Sequence, residues 1–569
     1  MQSATSSRRT AARRSIFCLA AASICAAVAS AQISEAKLLA SDGQPLDKFG
    51  SSIALLSEWA FCGAPFADAL GPASGAVYAY KFDGTNWIPA QKILVGDATD
   101  LVGFSVAASE TWMVAGAPND NHPGYGGSGS AHVFRLQSGT WVHTQRLQPS
   151  SGFTIKFGGS VGLSGDRMIV GNAQATDSGA VFVFELSGSK WVQAAKLAAT
   201  GSHYQDFFGA AVAIDGDVAV VGSYGQDNGI YNSHRGAAFV YERSPAGAWS
   251  LTQKLTARDP KVGDNFGLSV AVDGNTILVG SRHTHAAPSD GGIYVFERQA
   301  GTWVSTQELR ASDPLHRPMM GEFVALDGDL AIGSAQADGD NDVLSGSAYV
   351  FHREAGTWKQ IAKAFAPDAA PNSLFGSAVA VCEDKLMVAC VGDDWPCLWD
   401  PLNCNAGSAY VFELASEAEQ YCDCPTQGPC GNHDDFGGCA TSLRRGGVLS
   451  GSGSASLATD DLFLEARWLP YKRLGVLLMG DQAVEQPFGD GQLCVGSSSG
   501  ILWQFVPRQS SGLYGAFQVG PIVGLSASLP GGQIAAGQTR YFQAWFRDPM
   551  SLCGTDHNLT NAVRITFAP

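Results

Sequence analysis

The stretch DNFGLSVAVDGNTILVGS, from Asp264 to Ser281, sets a Phe-Gly pair ahead of an apolar alternation, an Asp-Gly turn and a second alternation. Short runs with period two read as half-buried strands, and Asp-Gly between two such runs is a hairpin signal. The stretch recurs along the chain. Phe49-Gly50, Val102-Gly103, Phe157-Gly158, Phe208-Gly209, Met320-Gly321 and Phe375-Gly376 occupy the place of Phe266-Gly267, giving seven copies spaced 51 to 58 residues apart.

Each copy continues in the same order. After the hairpin and a variable loop comes a third alternation, such as GAVYAY, GGIYVF or GSAYVF, and then a fourth run that opens with tryptophan. Trp87, Trp141, Trp191, Trp249, Trp303 and Trp358 each stand six residues before an apolar residue that ends the run. Four antiparallel strands per unit at this period imply a seven-bladed β-propeller. The seventh unit ends at SAYVFEL without a tryptophan strand, whereas EAKLLASD (35–42) at the other end of the chain matches QKLTARD (253–259). An unpaired outer edge on the last blade is a pairing hazard, so the N-terminal segment is expected to supply that strand and close the ring.

FG-x-S-V-A followed by VVG and G-x-x-Y-V-F resembles the FG-GAP repeat, the unit of the integrin α-chain propeller and of many secreted bacterial proteins. The resemblance covers residues 33–414 and implies an extracellular, ligand-recognising propeller. It also implies a calcium cage between the first two strands of a blade. Here those turns are SEW, SETW, SGDR, DGD, DGN, DGD and EDK, too short to wrap a hard cation that needs several convergent oxygens, so the usual cage is absent.

The expected order is a signal peptide at 1–31, the propeller at 32–414, a cysteine-rich connector at 415–445 and a β-sandwich at 446–569. Four arginines precede the apolar run IFCLAAASICAAVA, which ends in Ala29-Ser30-Ala31, the pattern of a secretory signal cleaved before Gln32. Its removal leaves 32 basic against 52 acidic residues, a formal charge of −20. That balance argues against nucleic acid and anionic membranes as partners. No later run could span a bilayer.

The C-terminal order of a Cys/Gly-rich connector, GGCA, DDLFLEARWLP, QPFGDGQLCVG and FQAWFRDP resembles a module of planctomycete secreted proteins. Eleven of the 13 cysteines lie outside the signal, and export would oxidise most of them, leaving at least one unpaired because the number is odd. Cys422, Cys424, Cys430 and Cys439 are spaced unlike a zinc site and are disulfide candidates, as are Cys397 and Cys404.

No catalytic residue can be named. The G-x-S-x-G match at Gly158–Gly162 falls inside a first strand, not at the strained strand-to-helix turn a nucleophile requires. The fixed place of the tryptophans points to packing more than to sugar stacking. No cofactor is required. Asp338, Asp340 and Asp342 in AQADGDNDVLSG are the candidate calcium ligands, set against a solvated acidic loop because no far-end glutamate follows. His283, His285 and Asp290 form a weaker pattern, read as solvent-facing. The insertion DDWPCLWDPLNC places Trp395 and Trp399 beside Asp393 and Asp394, the candidate partner contact.

These readings converge on a bacterial protein secreted or held at the cell surface, extracellular or periplasmic, a non-catalytic binding or adhesion protein whose propeller loops recognise an extracellular protein or glycan. The alternatives are an extracellular propeller hydrolase or lyase acting on glycans or phosphoesters, and an envelope-structural protein.

Overall fold

The computed structural model describes residues 32–569 except 85, 121–127, 151–155, 174–177, 200–202, 204, 227–233, 283–290, 312–318, 340–342, 355, 367, 369, 394–405, 416–417, 422–437, 443–445, 453–456, 458–461, 468, 501, 512–516, 551–553 and 568–569. The chain is all-β. After β1 (Gln32–Leu38), the first sheet is β2 (Ser52–Leu55), β3 (Trp59–Ala64), β4 (Ala76–Phe82) and β5 (Trp87–Ile93), paired antiparallel in that order. The second repeats it with β6 (Ser105–Ala108), β7 (Trp112–Ala117), β8 (Ser130–Gln137) and β9 (Thr140–Leu147). Seven such four-stranded sheets occur among the described residues. In the seventh, β1 is the outer strand, running antiparallel to Ser408–Ala415 from Gln32↔Ala415 to Leu38↔Ala409.

The Phe-Gly pair locks one sheet to the next. Phe266 is fully buried, and the glycine opening the preceding third strand, Gly236, bridges to it in parallel. Gly236 has φ 78°, and a Cβ there would lie 2.0 Å from the Phe266 carbonyl oxygen. At Gly267, with φ 87°, a Cβ would lie 2.3 Å from the Ala237 carbonyl oxygen. Only glycine fits both the left-handed backbone and the close approach. The same joint relates the seventh sheet to the first, where the Phe49 N–H donates to the Ala406 carbonyl at 2.8 Å and a Cβ on Gly407 would meet the Phe49 carbonyl oxygen.

Asp273-Gly274 is a hairpin turn, with Asp273 paired to Thr276. Its carboxylate does more than shape the turn: it accepts the Gly328 N–H of the next sheet at 2.6 Å, while Gly274 donates to Asp215 of the previous one at 2.9 Å. First-strand serines add a parallel set of bonds. Ser160 Oγ donates to the Gly209 carbonyl at 2.8 Å, and Ser52, Ser105 and Ser269 do likewise toward Gly103, Gly158 and Gly321. Ser160 is therefore engaged as scaffold.

Among the described residues of the C-terminal region the regular elements are strands apart from one short helix. A larger sheet takes its central strands from Leu474–Gly480, Thr539–Arg547 and His557–Thr566. A three-stranded sheet takes Val448–Ser452, Phe463–Arg467 and Phe517–Val519. Leu449, Leu464 and Phe517 from one sheet and Leu477, Phe542 and Val563 from the other share a single core, as a sandwich requires. Ala418–Tyr421, inside the expected connector, pairs with His557–Thr566 as an edge strand of the larger sheet, so this unit begins before residue 446. No helix among the described residues is long and apolar enough to cross a membrane.

Candidate functional site

The loops between second and third strands leave the sheets at one end, and a repeated polar centre lies beneath them. It is built from the fourth-strand residue just before the terminal apolar one and from the third-strand aromatic beside it. Lys37 lies 5.2 Å from the Tyr410 ring centroid, Lys92 5.1 Å from Tyr78, Lys196 5.7 Å from Phe182, Lys254 5.5 Å from Phe239 and Lys363 5.0 Å from Tyr349. Five sheets thus place an ammonium within cation–π range of a ring. The second uses Arg146, and the fifth inverts the charge with Glu308, which is paired to Arg310 at 2.7 Å.

Asp338 faces this centre. Its carboxylate is 2.7 Å from Lys363 Nζ, accepts Ser347 Oγ at 2.6 Å and is 3.3 Å from the Tyr349 hydroxyl, with Asp338 only 2% exposed. The carboxylate of this candidate calcium ligand is thus turned inward onto an ammonium. Asp340 and Asp342 lie outside the described residues. Asp393 behaves as Asp338 does, 2.7 Å from Lys37 Nζ and accepting Ser408 Oγ at 2.6 Å, with Tyr410 OH at 3.4 Å. This candidate partner contact is thus held beside the start of Ser408–Ala415 by Lys37 and Ser408. Asp394, Trp395, Trp399, Cys397, Cys404, Cys422, Cys424, Cys430, His283, His285 and Asp290 lie outside the described residues.

Lys37 also binds Asp368 at 2.7 Å, so β1 is tied by two carboxylates. Burial alone would lower the Lys37 pKa, but hydrogen bonds that its ammonium donates to Asp368 and Asp393 outweigh it and raise it. Burial would raise the Asp368 pKa, but bonds from Lys37 and Tyr410 leave it lowered. The signs define a window. The Asp368 contribution is present above its unfolded pKa near 3.8 and is lost as pH falls through the lower folded value; the Lys37 contribution holds below 10.5 and is lost as pH rises through the higher folded value. Proteolytic release of the N-terminal strand should therefore be slowest between about pH 5 and 10 and quicken on both sides, and a flat profile would sink this account.

The fourth-strand tryptophans are packing elements. Trp141, Trp191, Trp303 and Trp358 are buried, and Trp141 meets Trp59 edge-on at 5.7 Å from the preceding sheet. Gln91 donates to the Trp141 carbonyl and accepts its N–H, a two-way bond that Gln145, Gln253 and Gln307 repeat toward Trp191, Trp303 and Trp358.

Cys62, Cys382 and Cys390 are free thiols. Burial pushes the first and last far up, and burial with the Asp327 and Glu383 carboxylates pushes Cys382 to about 11. None is an activated nucleophile. Cys439 and Cys494 are buried and are not among the free thiols.

At the opposite end of the fifth and sixth sheets a cavity of about 350 Å³ is lined by Asp273, Asn275, Thr276, Glu297, Arg298 and Arg353. Its arginines are already paired, Arg298 with Glu242 at 2.8 Å and Arg353 with Asp329 at 2.6 Å. Among the described residues no group of three or more His, Cys, Asp or Glu side chains could hold a metal ion. Sequence reasoning missed Lys37, Arg146 and Lys363. The signal was present as a basic residue before the terminal apolar one in six of seven fourth strands.

The FG-GAP repeat family model matches residues 33–80, 90–134, 191–241, 249–296, 303–351 and 358–412, together more than half of the chain. The chain belongs to the FG-GAP repeat family. The FG-GAP matches pair a fourth strand with the next three, and β1 is the first element of the first match. The unit at 135–190 is unmatched, yet its strands complete the second four-stranded sheet and supply the first three strands of the third, as in the other copies; the first strand of the third sheet carries Gly162 where the other six carry alanine. No curated protein matches the FG-GAP chain. Among solved structures, a provisionally assigned 6-phosphogluconolactonase from Bacteroides fragilis aligns at 11% identity and a TM-score of 0.38, covering 60% of this chain and 96% of its own.

Proposed function

We propose that this FG-GAP protein is exported and acts as a non-catalytic binding or adhesion protein, recognising an extracellular protein or glycan through its second-to-third-strand loops. One observation carries the reading. The polar groups that repeat from sheet to sheet are spent on the scaffold, in Lys–Tyr–Asp centres, Gln–Trp bonds and Asp-to-turn bonds, so chemical variety is left to the loops. The scaffold in this reading is a seven-bladed ring closed by β1, supported by the β1 pairing and by the Phe49–Ala406 joint. Export is supported by the basic-apolar-small pattern of residues 1–31. Disulfides in the C-terminal region are supported by the eight cysteines that lie from Cys397 onward in an exported chain.

The test is capture from extracellular material by the chain from Gln32 onward, with and without a calcium chelator, alongside glycan and phosphoester cleavage assays. Saturable, chelator-insensitive capture without turnover is the expected result. Cleavage without capture would replace this reading with the hydrolase or lyase one. Loss of surface retention on deleting residues 420–569, with capture absent, would replace it with the envelope-structural one.

A further inference from the structure

The second sheet departs from the others at two positions that meet in space. Where the other third strands carry Tyr78, Phe182, Phe239, Tyr294, Tyr349 and Tyr410, β8 carries His132. Two residues past the fourth-strand tryptophan, where other copies carry Pro89, Gln193, Leu251, Ser305 and Gln360, β9 carries His143. A β-bulge between Val133 and Phe134 shifts the register there, and His132 Nδ1 comes to 3.2 Å from His143 Nε2.

We propose that His132 Nδ1 and His143 Nε2 form a binding site for a late first-row divalent cation, Cu²⁺ or Zn²⁺, with water completing the coordination. Imidazole nitrogens bind Zn²⁺ at about 2.0–2.1 Å, so two of them at a tetrahedral angle stand roughly 3.3–3.4 Å apart, and the pair is already near that spacing. The far side of His132 is arranged as metal-bound histidines require. Its Nε2 lies 3.1 Å from Ser130 Oγ and 3.5 Å from Asp120 Oδ2, which fixes the proton on Nε2 and leaves the Nδ1 lone pair facing His143. Asp120 is itself held by Ser130 and Arg146.

The two ligands differ in access. His132 is 4% exposed, whereas His143 lies at the surface with its ring 5.2 Å from Phe134, so a cation can arrive from solvent onto a preorganised partner. Binding requires only that the His143 proton move from Nε2 to Nδ1. Two imidazoles favour Cu²⁺, Ni²⁺ and Zn²⁺ over Ca²⁺ and Mg²⁺, which take oxygen ligands.

The experiment titrates the metal-free full chain with CuSO₄, ZnCl₂ and CaCl₂ by calorimetry at pH 7.4, with EPR of the copper complex. One Cu²⁺ site with two nitrogen ligands is expected, and His143→Gln should weaken it at least tenfold while leaving the metal-free melting curve unchanged. Asp120→Asn should weaken it about tenfold through orientation of His132. His283→Gln/His285→Gln should leave it intact. Copper titrations that are identical for the parent and His143→Gln, or loss only in the His283/His285 variant, would overturn the proposal.

Discussion

A chain that begins at Leu39 is expected to lose about 5 kcal/mol or more of stability relative to one that begins at Gln32, and to associate at micromolar concentration. Two contributions set the magnitude. Leu38 is 3% exposed, and a fully buried leucine is worth about 1.5–3 kcal/mol. Lys37 neutralises Asp393, a partly buried carboxylate beside the Tyr410 hydroxyl, and stripping the partner from such a charge costs up to about 3–5 kcal/mol. Association follows from topology. Without β1, Ser408–Ala415 becomes an open edge whose backbone groups can pair with another chain. Denaturant midpoints and gel filtration check both effects, and a peptide of residues 32–42 added in excess should restore the monomer. An unchanged midpoint with monomeric elution would show that β1 does not complete the ring.

The repeat was legible because its determinants are local and periodic. Phe266-Gly267, Asp273-Gly274 and the alternations around them each specify a strand or turn within a few residues, and seven copies in phase remove ambiguity. Even the place of β1 could be read, since EAKLLASD matches the other fourth strands and a propeller leaves one edge to fill. The Gln91–Trp141 type of bond and the Asp273–Gly328 bond were not legible, because each joins residues about 50 apart whose approach exists only once sheets are stacked. The edge strand Ala418–Tyr421 was missed for a related reason: four residues carry no period, and its partner lies near the C-terminus.

Loop carboxylates were the hardest to read. Asp338 sits in a run of acidic and glycine residues that looks solvated from sequence, and its inward direction is decided by Ser347, Tyr349 and Lys363 on two later strands. The same holds for Asp393, whose cation comes from the other end of the chain. The free thiols are set apart from the other cysteines by their place along the chain. Cys62, Cys382 and Cys390 belong to sheet strands, while the remaining eight cysteines outside the signal region all lie from Cys397 onward, an even number.

The Asp338 centre yields the second large effect. Asp338→Ala should destabilise the protein by about 3–5 kcal/mol, because Lys363, with a side chain 7% exposed, loses the carboxylate that pairs with it. Lys363→Met should cost a similar amount by stranding Asp338 among Ser347 and Tyr349. If the cost is that of an uncompensated charge and not of lost volume, the double variant Asp338→Leu/Lys363→Met should recover most of it, since apolar groups of similar size can replace a buried pair at little cost. Thermal or denaturant melting of the parent, Asp338→Leu, Lys363→Met and the double variant gives the coupling directly. Because the ammonium at 2.7 Å occupies the carboxylate, adding CaCl₂ or EDTA should leave the parent midpoint unchanged. A calcium-dependent rise in the parent that Asp338→Ala abolishes would return this loop to the role of a cation site, and additive losses in the double variant would show that the pair is not coupled.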